Sequence, residues 1–449
     1  MKNVLLGAAS VLALSFAAPA FAQSISVVNQ TNTGNGATVD QTGSLSGGDS
    51  LVDQSGASNT ATVTQADDGS GATPQNVSDV LQSGDSNSAT VNQDTSTFAL
   101  QSNSLIDQSG NGNTASVTQL DDGQTSSVSQ SSDGNSATVN QGDATAALSD
   151  DSWGNSSTIN QAGSGGHIAQ VNQPGLLNDS SVDQTGDAGE AYVNQSGAFN
   201  SSSVAQTGTN DDAFVDQSGD GNLSDVIQDG EDVTADVNQS GNGNTSLVDQ
   251  TSPGGVRPIN SQVYVDQAGD SNDSQVFQRA NQGYAEVLQW GTNSDALVQN
   301  YGNRSVAYVW QLAGDNNSAT ITQRAEDSDA FAYQTGSNNT ASITQQEDSP
   351  PTENMSAAIY QTGDNNGSVI DQDGDNHYAV NDQSGDGNLS DILQTGSFNY
   401  AFVGQYGDGN MSDVDQSGNN NTATVQQFTD GNMSFVTQSG SFNTATVSQ

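Results

Sequence analysis

Side-chain amides are the chemistry this chain repeats. Glutamine stands at 361, 372, 383, 394, 405, 416, 427, 438 and 449, always eleven residues apart. A carboxamide donates and accepts hydrogen bonds, so amides stacked in register can satisfy one another without water. Reactive side chains are sparse by comparison. His167 and His377 stand alone and far apart, and no pair of carboxylates stands out from the periodic background. Cysteine is absent, which removes thiolate metal sites and disulfides. Neither an enzyme nor a cofactor is predicted.

The elements that position these amides follow from the spacing. In the last unit, Asn443, Ala445, Val447 and Gln449 are two apart and share one face of an extended chain. Ser439 to Phe442, with Gly440, read as a turn. Each unit is therefore a strand of about six residues and a tight turn. Four residues before successive glutamines stand Ser368, Ala379, Ser390, Ala401, Ser412, Ala423, Ser434 and Ala445. Serine and alanine alternate, so the true period is 22 residues, two strands and two turns, the mark of a stacked repeat.

Following glutamines back to Gln30 counts 36 of them, or about 18 coils of an all-β, two-sheet β-solenoid. Two before each glutamine the residue is Val or Ile, with Leu297, Ala332 and Asn381 as the expected exceptions. The count takes Gln299 as a ladder residue, which makes the register wobble by one between Gln289 and Gln323. Like residues should then stack at about 4.8 Å along the coil axis.

Met1 to Ala22 has a lysine, an apolar run and an Ala20-Phe-Ala22 site, and is expected to be a cleaved signal peptide. The repeat solenoid is expected to occupy 23–449, with no membrane span in the mature chain. Turn insertions fall near 66–76, 94–102, 142–155, 251–261 and 346–355, where bulging outward leaves the coils intact. The formal net charge is −47, with 52 acidic residues against 5 basic ones. Such a surface repels nucleic acid and anionic lipid. The acids are expected mostly outside or in turns, as brakes on association, and the turn glycines as tolerated weak points. The arginines and many aromatics gather in 256–334, read as repeat drift with a docking patch as the alternative.

The ends bear on function. Ser24–Gln30 starts a strand close to the expected cleavage site, and the chain stops on a complete unit at Gln449. Both ends should offer matching unpaired strand edges, so head-to-tail homopolymerisation is the expectation.

The motif Gln-x-Gly-x-x-Asn-x-Ala-x-Val-x-Gln, at Gln108–Gln119, Gln334–Gln345 (with Ile343 for Val), Gln416–Gln427 and Gln438–Gln449, resembles the curlin repeat of curli fibre subunits. The resemblance implies ladder roles for Gln108, Asn113, Gln119, Gln334, Asn339, Gln345, Gln416, Asn421, Gln427, Gln438, Asn443 and Gln449. Val425, Asn432, Ala445 and Val447 complete the expected structural ladder. It further implies a secreted functional amyloid of a Gram-negative cell surface, passage through the periplasm and an outer-membrane secretion channel, a nucleator subunit, and biofilm adhesion. The alternative is an extracellular solenoid that stays monomeric, as an adhesin or as a calcium- or ice-binding protein. Asp-rich turns could carry calcium, but no glycine-rich nonapeptide roll is present. Thr60-x-Thr62, Thr422-x-Thr424 and Thr444-x-Thr446 could face ice, although Tyr192 and Asp236 interrupt the array.

Overall fold

The computed structural model describes residues 24–449 except 45–46, 68–75, 96–100, 121, 143–153, 252–256 and 347–353. The expected signal segment 1–22 lies outside the described residues, as does most of each expected turn insertion. Among the described residues there is no helix. Strands are numbered in chain order from β1 (Ile25–Gln30) to β36 (Thr444–Ser448).

The chain divides into two units, Met1–Phe199 and Asn200–Gln449. The first holds β1 to β14 (Glu190–Gln195), and the second holds β15 (Ser201–Gln206) to β36. In each unit odd strands pair only with odd strands and even with even, all parallel. β16 (Asp212–Gln217) thus lies on β18 (Thr234–Gln239) with Ala213 on Ala235, Val215 on Val237 and Gln217 on Gln239. Each unit is a two-sheet β-solenoid with a repeat of about 22 residues, as the serine–alanine alternation implies.

Alternation fixes the core. Serine, valine and glutamine point inward from most odd strands, with alanine in the serine place at Ala296, Ala319 and Ala341, and alanine, valine and glutamine from most even ones; Val226, Ala235, Val237 and Gln239 are fully buried. Each buried valine contributes roughly 1.5–3 kcal/mol. Those valines exclude water from amides that would otherwise exchange their partners for solvent.

One register expectation is corrected. Asn300, not Gln299, stacks between Gln278 and Gln323. Val298 and Ala296, not Leu297 and Asp295, are the inward residues of β23 (Asp295–Asn300). The spacing from Gln267 to Gln311 is therefore regular, and the apparent wobble came from counting a neighbouring glutamine that faces outward.

Many turn glycines do more than weaken the strand: they let adjacent turns approach closely, although Ser132, Ala280, Ala325 and Thr429 hold the same place elsewhere. A Cβ on Gly241 would stand 1.9 Å from the Gly269 carbonyl oxygen of the next coil, and one on Gly56 would stand 1.8 Å from that of Gly84. Only a residue without Cβ lets adjacent turns approach so closely. Two or three positions further on, the turn passes through the left-handed region, at Gly243 (φ 64°), Asn420 (φ 57°) and Phe442 (φ 61°).

Candidate functional site: amide ladders and coil edges

The inward glutamines form chains of side-chain hydrogen bonds, and these chains have a direction. Gln82 Nε2 donates to Gln108 Oε1 at 2.8 Å, Gln108 to Gln130 at 2.8 Å, and Gln119 to Gln141 at 3.0 Å. In the second unit Gln334 donates to Gln361 at 2.9 Å, Gln345 to Gln372 at 2.9 Å, Gln416 to Gln438 at 2.8 Å and Gln427 to Gln449 at 3.1 Å. In each bond the donor precedes the acceptor in the chain. The second N–H of the amide crosses to the opposite sheet, as from Gln217 to the Ser201 carbonyl at 3.1 Å. One glutamine thereby ties its own sheet to the next coil and to the sheet behind it.

Asparagine six residues earlier secures the turn. Asn421 Nδ2 donates to the Gly440 carbonyl at 3.0 Å, and its Oδ1 accepts the backbone N–H of Asn443 at 3.1 Å. Asn339 does the same with Gly363 at 2.8 Å and Asn366 at 3.0 Å. The Oδ1 of Asn113 accepts from Asn135 at 2.8 Å, and the backbone N–H of Asn432 donates to Asn410 at 2.9 Å. Val425 is fully buried, whereas Ala445 and Val447 on the last strand are half-buried and Gln449 is exposed.

Sequence reading missed several occupants of the asparagine slot. His167 and His377 sit there, each 1 % exposed. Their Nδ1 atoms accept the backbone N–H of Gly189 (3.1 Å) and Asn399 (3.3 Å), while Nε2 meets the carbonyls of Ala162 and Asp373. Burial lowers both imidazole pKa values, keeping the neutral, accepting form. Asp211 fills the same slot at 1 % exposure. It is an exception to the expectation that acids lie mostly outside or in turns, and burial pushes its pKa up to about 6. The signal was available: each stands six residues before a ladder glutamine.

Among the described residues of the second unit the ladder is broken around Gln278 and Asn300. Asn300 is a methylene shorter than glutamine. Both amide atoms of Gln278, Oδ1 of Asn300 and Oε1 of Gln323 are buried without a hydrogen-bond partner.

Among the described residues the ladder is open at the first strands of the first unit and at the last strands of the second. Gln30 donates to Gln54 at 2.6 Å and Gln41 donates to Gln65 at 2.7 Å, and both glutamines lie on strands paired on one side only. At the other edge Gln438 and Gln449 donate one N–H to the carbonyls of Thr422 (3.0 Å) and Met433 (3.2 Å). The inward residues of the two edges correspond. Ser26, Val28 and Gln30 match Ser434, Val436 and Gln438, and Ala37, Val39 and Gln41 match Ala445, Val447 and Gln449. Strands β1, β2 (Gly36–Ser44), β35 (Met433–Ser441) and β36 hold a single carboxylate, Asp40.

Fold and ladder together define a parallel two-sheet β-solenoid stitched by amide chains. Its carboxy-terminal part carries the Curlin associated repeat, matched at residues 314–346, 363–396, 385–418 and 418–449. No curated protein matches the chain at a significant level. The repeats and the fold point to a structural protein rather than an enzyme. No helix among the described residues is long and apolar enough to cross a membrane.

Proposed function

We propose that the chain is a secreted structural subunit that stacks copy on copy into extracellular curli-like cross-β fibres of a biofilm matrix. The observation that carries this reading is the polar match of the two coil edges. One edge presents amide acceptors on a serine–valine–glutamine and alanine–valine–glutamine pair of strands, and the other presents amide donors on the same pair. Adding one copy to the next would continue each ladder in its existing direction and pair backbone groups that an open strand edge leaves free. The scarcity of carboxylates at both edges supports the reading, because two like charges one coil apart repel by about 1 kcal/mol even in water. The curlin repeats support the extracellular, fibre-forming setting, in which a nucleator subunit and an outer-membrane channel are the further partners.

Elongation of preformed seeds tests it. Val28 is an inward residue of β1 yet 37 % exposed, so Val28→Asp disturbs the edge more than the interior. Wild-type chain is expected to lengthen wild-type seeds, and Val28→Asp chain to add at least tenfold more slowly. Equal addition by the two, or none by the wild type, contradicts head-to-tail stacking.

A further inference from the structure

The outer face of the even sheet in the second unit holds a groove of about 760 Å³ that the ladder does not explain. Its floor is made of small outward residues, Ser356 and Ala358 of β28 (Ser356–Thr362), beside the backbone of β26 (Asp329–Thr335) at Ala330. Its walls are aromatic. Trp310 stands edge-on to Phe331 with ring centroids 5.0 Å apart, and Phe331 lies 5.4 Å from Tyr360 and 6.1 Å from Tyr308. Tyr378 closes the far side. These residues come from successive even strands, so they are far apart in sequence and neighbours on the sheet.

Charge and chemistry narrow what such a groove would hold. Glu286 and Asp329 line it, and none of the lining residues is basic. The Glu286 carboxylate accepts from Tyr284 Oη at 2.6 Å and Trp310 Nε1 at 2.9 Å, two neutral donors that fix it without neutralising it. Burial, with Asp327 nearby, holds the Asp329 carboxyl above the usual range. Arg304 pairs with Asp327 at 2.5 Å and Arg279 with Asp249 at 3.6 Å. Aromatic faces are electron-rich and attract cations, as do the carboxylates and the net charge of −47. A hard metal ion wants several converging oxygens. Among the described residues no three His, Asp or Glu side chains gather to hold one. Weakly hydrated organic cations fit both the rings and the acids.

We propose that this groove is a binding site for organic cations, guanidinium or quaternary ammonium groups, seated against Trp310, Phe331 and Tyr360 and countered by Glu286 and Asp329. It crosses five even strands, from the one bearing Glu286 to the one bearing Tyr378, about 19 Å at four steps of strand spacing. That length would accommodate several cations on one extended segment.

The full chain with Trp153→Phe and Trp290→Phe leaves Trp310 as the reporter. Its fluorescence is expected to change saturably with tetramethylammonium or arginine amide, and not with sodium chloride at equal ionic strength. Phe331→Ala or Asp329→Asn should weaken binding at least tenfold; the near-isosteric Asp329→Asn serves if Phe331→Ala fails to fold. A tri-arginine peptide distinguishes the sources. Affinity at least tenfold above arginine amide indicates a polypeptide segment, and equal affinity indicates a free cation. Equal responses to sodium and tetramethylammonium, variants that bind like the parent, or a response only to a neutral oligosaccharide would overturn the proposal.

Discussion

Asn300→Gln is expected to stabilise the second unit by about 3 kcal/mol, against the usual expectation that a core enlargement destabilises. The extra methylene is what the slot lacks. Every other inward position of this kind in the unit holds glutamine, and the neighbouring amides of Gln278 and Gln323 carry unpaired buried atoms only here. Each such atom costs roughly 1–3 kcal/mol, so joining Gln278 to residue 300 and residue 300 to Gln323 removes several penalties at once. Asn300 already donates to the Ser305 carbonyl at 2.9 Å, as Gln323 does to Ser328 at 2.9 Å, so the bond across the sheets has a template. A repeat array need not unfold as one step, so the readout is local. Amide exchange in β21 (Asp273–Gln278), β23 and β25 (Ser318–Gln323) should slow by roughly a hundredfold. Unchanged or faster exchange would mean that the broken ladder is already satisfied by water.

The second large effect is at Asp211. Its folded pKa of about 6 lies well above the value of 3.8 for a free carboxyl. The folded state thus binds the proton more tightly. The Asp211 contribution is most favourable below pH 4, falls as pH rises towards 6, and above that leaves a constant penalty. The gap between the folded and free values corresponds to a penalty of roughly 3 kcal/mol at pH 7. Asp211→Asn should remove that penalty, because an amide needs no ionisation and can donate to the Gly230 carbonyl as Asn222 donates to Gly241 at 2.8 Å. Denaturant melts of the variant should show higher stability at pH 7 and a flatter profile between pH 4 and 6. A variant no more stable than the parent at pH 7 would show that the buried carboxylate is already fully solvated by its backbone N–H neighbours.

Much of this architecture was legible from the sequence because a narrow coil constrains the same positions again and again. Val237 and Gln239 must be valine and glutamine for the reason that Val215 and Gln217 are, and parity survives insertions because each strand must return to its own sheet. Exceptions were harder to read for the same reason. Gln299 looked like the ladder residue by letter, and Asn300 was recognisable only by its place beneath Gln278. Asp211 and His377 look like ordinary turn residues unless their distance from the next glutamine, six residues, is counted. The groove was least visible. Outward positions carry no periodic demand, and Tyr308, Phe331, Tyr360 and Tyr378 become neighbours only when successive coils stack. The aromatic bias of 256–334 marked its first half, but Tyr360 and Tyr378 extend it beyond that range.

Acid should ease folding and, by shrinking the net charge of −47, association. Burial raises the pKa values of Asp236 and Asp391, and the aspartates on adjacent coils, Asp216 and Asp266 for the first and Asp413 and Asp371 for the second, raise them further. Fibre diffraction from the chain lacking residues 1–22, incubated without agitation at pH 7 and at pH 4, tests the stacking account most directly. The account predicts a meridional reflection near 4.8 Å, the spacing of hydrogen-bonded strands, arising sooner at pH 4. A chain that stays monomeric and β-rich at both pH values would contradict it.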